Sequence, residues 1–241
     1  MEWHDHGVVI STRRHGEAAL VLHVLTEHHG RHAGLVLGGA GRRKRGTFQP
    51  GNGLACRWRA RLPEHLGNFS AELVRVRAGP LLGDAPRLAG LGAACALVDS
   101  LLPEREPHPA VYNGLLALLD SLTDDEYPPE AWGAGYVRWE LGVLAVLGFG
   151  LDLSACAATG SNKGLIWVSP KSGRAVSAAA GADYADRLLR LPPFLVGSGA
   201  ATTAEIADGL RLTGHFLTRH GLVRDDAALP AARDRLSEIF R

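Results

Sequence analysis

The chain has 241 residues, 46% hydrophobic and 21% charged, the balance of an ordinary folded protein and not of a disordered, collagenous or fibrous one. No apolar run of about 18 residues is present to span a bilayer, and the start Met1-Glu2-Trp3-His4-Asp5-His6 lacks the basic and apolar regions of a secretory signal, so a cytoplasmic location is expected. The net charge of +1 hides an asymmetry: residues 1–80 hold 12 Lys+Arg against 6 Asp+Glu, residues 81–241 hold 14 against 19, and 8 of the 11 histidines lie in the first part. A basic part followed by an acidic one predicts two domains, 1–80 and 81–241, with the first facing a polyanion.

The first domain reads as strands. Residues 7–12 form a short β-branched run ending at Arg13-Arg14, residues 19–26 a second run with a turn at 27–30, and residues 33–37 a third that stops at the glycines of 38–41. From Leu54 to Leu62 the chain alternates with period two, placing Cys56, Trp58, Ala60 and Leu62 on one face and Arg57, Arg59 and Arg61 on the other. A last strand covers 70–77. Five short strands separated by glycine turns predict a small antiparallel β-barrel of the OB type.

Beyond Pro80 the spacing turns helical. Helices are expected over 87–102, 110–122 and 130–147, bounded by Pro103, Pro107, Pro109 and Pro128-Pro129, with Gly148 closing the third. Residues 150–182 read as an irregular Gly/Ser-rich insert. Helices then resume over 184–191, 202–220, with Thr202 or Thr203 as N-cap, and 230–240. The fold class is therefore α+β, a barrel followed by a mainly helical domain.

The strongest chemical signal is the loop Arg42-Arg43-Lys44-Arg45. Four adjacent cations cannot form a core element, and Arg13, Arg14, Arg31 and the Arg57/Arg59/Arg61 stripe lie on neighbouring strands. A cationic surface of this kind suits a phosphate backbone. Alternation assigns Trp58 to the core, leaving His32 and Phe48 as candidates for stacking on bases. Gly41 and Gly46-Thr47 have the glycine spacing of a phosphate loop, but the required lysine is missing and no βαβ unit surrounds them. The histidines complete no metal-ligand spacing, and Cys56, Cys95 and Cys156 stand apart with no Cys-x-x-Cys, so no metal, disulfide framework or cofactor is expected. No catalytic constellation is found, which argues against an enzyme.

Several segments, in order, resemble the RecO family of bacterial DNA-repair proteins. They are Met1-Glu2-Trp3, Thr12-Arg13-Arg14-His15-Gly16-Glu17, Gly30-Arg31-His32, Gln49-Pro50-Gly51-Asn52, Leu101-Leu102-Pro103-Glu104-Arg105-Glu106-Pro107, Arg138-Trp139-Glu140-Leu141, Val168-Ser169-Pro170-Lys171 and Arg211-Leu212-Thr213-Gly214-His215-Phe216. The resemblance implies an N-terminal OB domain, a helical C-terminal domain and a recombination-mediator role. Such proteins bind single- and double-stranded DNA, anneal complementary strands and, with the partner RecR, help load RecA onto strands coated by single-strand-binding protein, whose acidic tail they recognise. Many members carry a four-cysteine zinc site in the insert. Here Cys156 matches the first ligand, but the other positions fall on Thr159, Ser177 and Ala180, so a zinc-finger-like insert without its metal is expected. Arg138, Arg211 and Arg219 are candidates for the tail-binding surface. The residues alone also admit an RNA-binding barrel or a non-catalytic protein adaptor.

Overall fold

A computed structural model describes residues 1–42, 44–197, 199–221 and 228–241. They divide into two compact units: Met1–Thr123 with Pro230–Arg233, and Asp124–Leu229 with Asp234–Arg241. Among the described residues no helix is long and apolar enough to cross a membrane.

The first unit opens with β1 (Glu2–His15), β2 (Ala19–Thr26), β3 (Gly30–Val36), β4 (Gly53–Arg59) and β5 (Asn68–Arg75), closed in the order β1-β2-β3-β5-β4. The long β1 serves two neighbours. Its first half, Glu2 to Val8, pairs with β4, and Gly7 to His15 pairs with β2, with a register shift between Val9 and Ser11 that accommodates Ile10. Inward side chains alternate along each strand, so Val9, Leu22, Val24, Leu54, Cys56, Trp58 and Phe69 form one buried core. The expected antiparallel arrangement needs one correction: β3 and β5 meet in parallel at Leu35 and Asn68. An odd number of strands in a closed ring cannot alternate direction all the way round, so one adjacent pair must run parallel.

Two helices complete this unit, α1 (Ala85–Leu101) and α2 (Pro109–Thr123). Asp84 caps α1 by accepting from the Arg87 N–H at 3.0 Å, and Pro109 opens α2 where its missing N–H costs nothing. Helix α1 lies against the barrel, where the Cys95 thiol donates to the Val9 carbonyl at 3.7 Å and His23 meets Asp99 at 3.1 Å.

The second unit holds α3 (Pro129–Val146), β6 (Leu165–Val168), β7 (Ala175–Ser177), α4 (Ala178–Gly181), β8 (Leu189–Arg190), α5 (Thr203–Phe216) and the last helix, α6 (Ala231–Ile239), which begins in the first unit. Thr202 and Glu205 form a capping box at the start of α5. Two expectations are corrected. The insert is not irregular: β7, β6 and β8 form a three-stranded sheet over Cys156, Trp167 and Val176. The helix expected over 184–191 is a 3₁₀ turn at Ala182–Arg187 followed by β8, because Leu189 and Arg190 pair with Val168 and Trp167.

Candidate nucleic-acid interface

The loop between β3 and β4 is anchored at its stem by one buried side chain. Asn52 is fully buried. Its Nδ2 donates to the Gly46 and Thr47 carbonyls at 2.8 and 3.3 Å, while its Oδ1 accepts from the Arg77 and Ala78 N–H groups at 2.9 and 3.2 Å. One side chain thus ties the loop to the chain leaving β5. Beyond this stem Arg42, Lys44 and Arg45 are exposed, whereas Arg43 lies outside the described residues.

Three hollows of the barrel surface gather the cations. A groove of about 930 Å³ is bordered by His4, His6, His28, His29, Lys44 and Arg57. A smaller hollow of about 150 Å³ brings Arg13 and Arg14 from β1 beside Arg45. A third, of about 530 Å³, lies between Met1, Arg59 and Arg61. Phe48 borders the first two but is buried, as is Trp58, at 4% and 2% exposure, so neither presents a ring to solvent. Arg57 pairs with Glu2 at 2.8 Å in the open, a solvent-screened contact that a phosphate can displace.

Two sequence candidates lie elsewhere. Arg31 donates from Nε to the Leu102 carbonyl at 2.8 Å and pairs with Asp99 at 3.2 Å and Glu104 at 3.5 Å, so its charge is used inside the unit. His32 is buried edge-on to Trp3 and Trp58, with both ring nitrogens lacking a hydrogen-bond partner among the described residues. Burial, with Arg105 and His29 nearby, pushes its pKa down to about 4, which keeps the ring neutral.

Arg31 and His32 sit under a strap formed by the α1–α2 connection. Glu104 bridges to Arg31, the Arg105 N–H donates to the Arg31 carbonyl at 2.8 Å, and a Cβ on Gly30 would come within 2.0 Å of the Glu106 carbonyl oxygen. Gly30, at φ +65°, is therefore required both for its turn and for this close approach. Arg105 itself adopts φ +64°, and its guanidinium donates to the carbonyls of Pro63, Glu64 and His65, the last at 3.0 Å. It clamps the β4–β5 loop that carries Arg61.

The aromatic feature of the groove is one the sequence reading missed. Trp3 stacks on His29, centroids 4.1 Å apart and 9° from parallel, although the two residues are 26 positions apart and are brought together by the β1–β2 pairing and the Asp5 contacts to the turn after β2. Asp5 accepts from the His29 ring at 2.7 Å and from the His6 and His28 N–H groups at 2.8 and 2.9 Å. Burial pushes the Asp5 carboxyl up, but these hydrogen bonds outweigh it and hold it below its ordinary value. Asp5, Glu27 and His28 could together offer three ligand atoms within 4.8 Å of one another; Asp5 already serves the turn in the way just described.

In the second unit the three arginine candidates each have internal partners. Arg138 donates to the Phe194 carbonyl at 2.9 Å and lies over its ring, Arg219 donates to the Pro170 carbonyl at 2.8 Å, and Arg211 pairs with Asp208 one turn back on α5. In the insert the buried Cys156 sulfur accepts from the Ser177 N–H at 3.3 Å, and hydrogen bonds with Ser177 and Thr159 hold its pKa down at about 6. Ala180 offers no ligand atom, and its N–H is spent on the Ser177 hydroxyl. One thiol and two hydroxyls do not fit a tetrahedral four-thiolate zinc.

Barrel, helices and cationic rim define a two-part α+β protein whose first part offers free positive charge. The family model for the recombination protein O N terminal matches residues 1–77, and that for the recombination protein O C terminal matches residues 82–224. The DNA repair protein RecO of Rhodospirillum centenum is 54% identical over 243 residues, covering 100% of this chain and 95% of the relative. That of Rhodospirillum rubrum is 48% identical over 244 residues, with 100% and 97% covered, and that of Ruegeria sp. 50% over 241, with 100% and 98% covered. The chain belongs to the RecO family of DNA-repair proteins.

Proposed function

We propose that the chain is a recombination mediator that binds single- and double-stranded DNA through an OB-type barrel and anneals complementary strands. The observation that carries this reading is the set of exposed cations around the three hollows, Arg13, Arg14, Lys44, Arg45, Arg57, Arg59 and Arg61, with exposed Arg42 beside them in the same loop and Arg43 assigned to it from sequence. The strand order and the single parallel β3–β5 contact support the OB assignment.

Annealing needs no bond chemistry. A cationic surface offsets the repulsion between two phosphate backbones and holds strands together while pairing is tested. The same reading places the protein with RecR in loading RecA onto strands coated by single-strand-binding protein, in the cytoplasm at the nucleoid. For the acidic tail of the coat protein, all three arginine candidates are exposed residues, and Arg211 keeps 65% of its side chain open. The reading divides the chain near residue 80 into a DNA-binding part and a part for protein contact, although the first compact unit itself runs on to Thr123.

The test is annealing of two labelled complementary oligonucleotides, both coated with single-strand-binding protein. Rapid annealing that slows when the coat protein lacks its acidic tail is the expected result. No annealing of coated or naked strands by folded protein rejects the reading in favour of an adaptor. Preference for RNA in direct competition rejects it in favour of an RNA-binding barrel.

A further inference from the structure

We propose that His29 is a base-stacking residue, giving the groove a subsite for an unpaired base and the barrel a preference for single strands. This rests on the reading that the barrel binds DNA. The inference starts from a column of three rings. Trp58 is buried at its foot, Trp3 stacks on it with centroids 5.7 Å apart and 20° between planes, and His29 stacks on Trp3 at 4.1 Å. The column therefore runs from the core to a ring whose side chain is 33% exposed and borders the groove.

The ring is held ready for a ligand. The Asp5 carboxylate can only accept, so Nδ1 of His29 carries the hydrogen and donates, fixing both tautomer and ring plane. Asp5 also holds the backbone of the same turn through His28. A stacking surface fixed in advance loses little side-chain freedom on binding. Asp5 is thus the positioning residue and His29 the one that touches the base.

The charges around the ring orient the strand. Asp5, Glu27 and Glu72 border the groove and repel phosphate, whereas Lys44 and Arg57 border it and attract phosphate. A strand in this groove lays its backbone toward Lys44 and Arg57 and turns its bases toward His29. Base–aromatic stacking tolerates any base, because every base has a π-face. Bases inside a duplex are already stacked on both sides and offer no free face, so this contact is closed to double strands.

The experiment compares His29→Asn, which keeps a donor for Asp5 but removes the ring, with His29→Phe, which keeps a ring. Each full-length variant is titrated with an oligothymidylate and with a duplex of equal length, after a thermal melt has shown it folded. His29→Asn should bind the single strand roughly 5- to 100-fold more weakly with an unchanged salt slope, and the duplex within about twofold of the parent. His29→Phe should restore most of the single-strand affinity, and single-strand binding should quench tryptophan fluorescence through Trp3. Unchanged single-strand affinity in His29→Asn, or an equal loss on both ligands, overturns the stacking role while leaving DNA binding intact. A parent protein that binds neither ligand overturns the DNA reading itself, and the subsite with it.

Discussion

Arginine does different work in the two units. Among the described residues of the barrel, Arg13, Arg14, Arg42, Lys44, Arg45, Arg59 and Arg61 are exposed and have no carboxylate within ion-pair distance. In the second unit Arg138 and Arg219 donate to carbonyls, Arg174 pairs with Asp152 at 3.4 Å, and Arg190 lies over the Trp167 ring at 4.1 Å. A guanidinium with an internal partner holds the fold together and has little field to spare. One without a partner adds repulsion to the folded state, which only an external anion offsets. The first unit holds both kinds, Arg31 and Arg105 bonded inward and the loop and strand cations left open, whereas these four arginines of the second unit all have internal partners.

The largest test of this contrast replaces Arg42, Arg43, Lys44 and Arg45 with alanine. Four lost phosphate contacts should flatten the single-strand salt slope by roughly three and lower affinity on the order of 10²–10³-fold near 0.1 M salt, with the melting temperature almost unchanged. An unchanged slope breaks the contrast. Arg31→Ala should show the opposite signature, because that arginine, though in the barrel, is bonded inward. It should cost about 2 kcal/mol in urea unfolding and leave the slope as it was.

A third test works from inside the barrel. His32 takes up its proton only at about pH 4 when folded, against 6.5 when exposed, so the unfolded chain binds the proton that the native barrel refuses. Stability should therefore fall as pH drops from about 6.5 toward 4, by up to about 1.4 kcal/mol per pH unit. His32→Phe should flatten that limb, and segment-resolved hydrogen exchange should place the acid-sensitive opening in the barrel. The smallest effect is expected from Arg219→Ala, about 1 kcal/mol or less, with DNA affinity unchanged. A fall in the salt slope with that variant would extend the binding surface into the second unit.

Local pattern made part of this legible in the sequence. The strand over 19–26 is found at those bounds, and the alternation from Leu54 placed Trp58 inside and Arg57 outside as observed. Helices long enough to show several turns are found within two residues of their expected ends, except that α5 stops at Phe216 and the chain continues as a π-helical turn to Gly221. The failures are non-local or too short. Residues 2–6 of β1 carry mostly polar side chains and become a strand only by pairing with β4, some fifty positions away. Strands β6, β7 and β8, of four, three and two residues, cannot display a period. Arg31 and His32 looked like surface groups because nothing in their own segment announces the strap, and the Trp3–His29 stack joins residues that no spacing rule connects.

The strap also bears on how the molecule can be divided. The N-terminal family match ends at residue 77, but Asp99 and Glu104, which neutralise Arg31, and Arg105, which clamps the loop carrying Arg61, all come later. A chain shortened to the barrel strands would leave a largely buried guanidinium without its counter-ions and the β4–β5 loop without its clamp. The smallest portable piece that keeps these contacts runs on through α1 and the connection to α2. Transplanting the barrel into another protein means moving α1 and the strap with it.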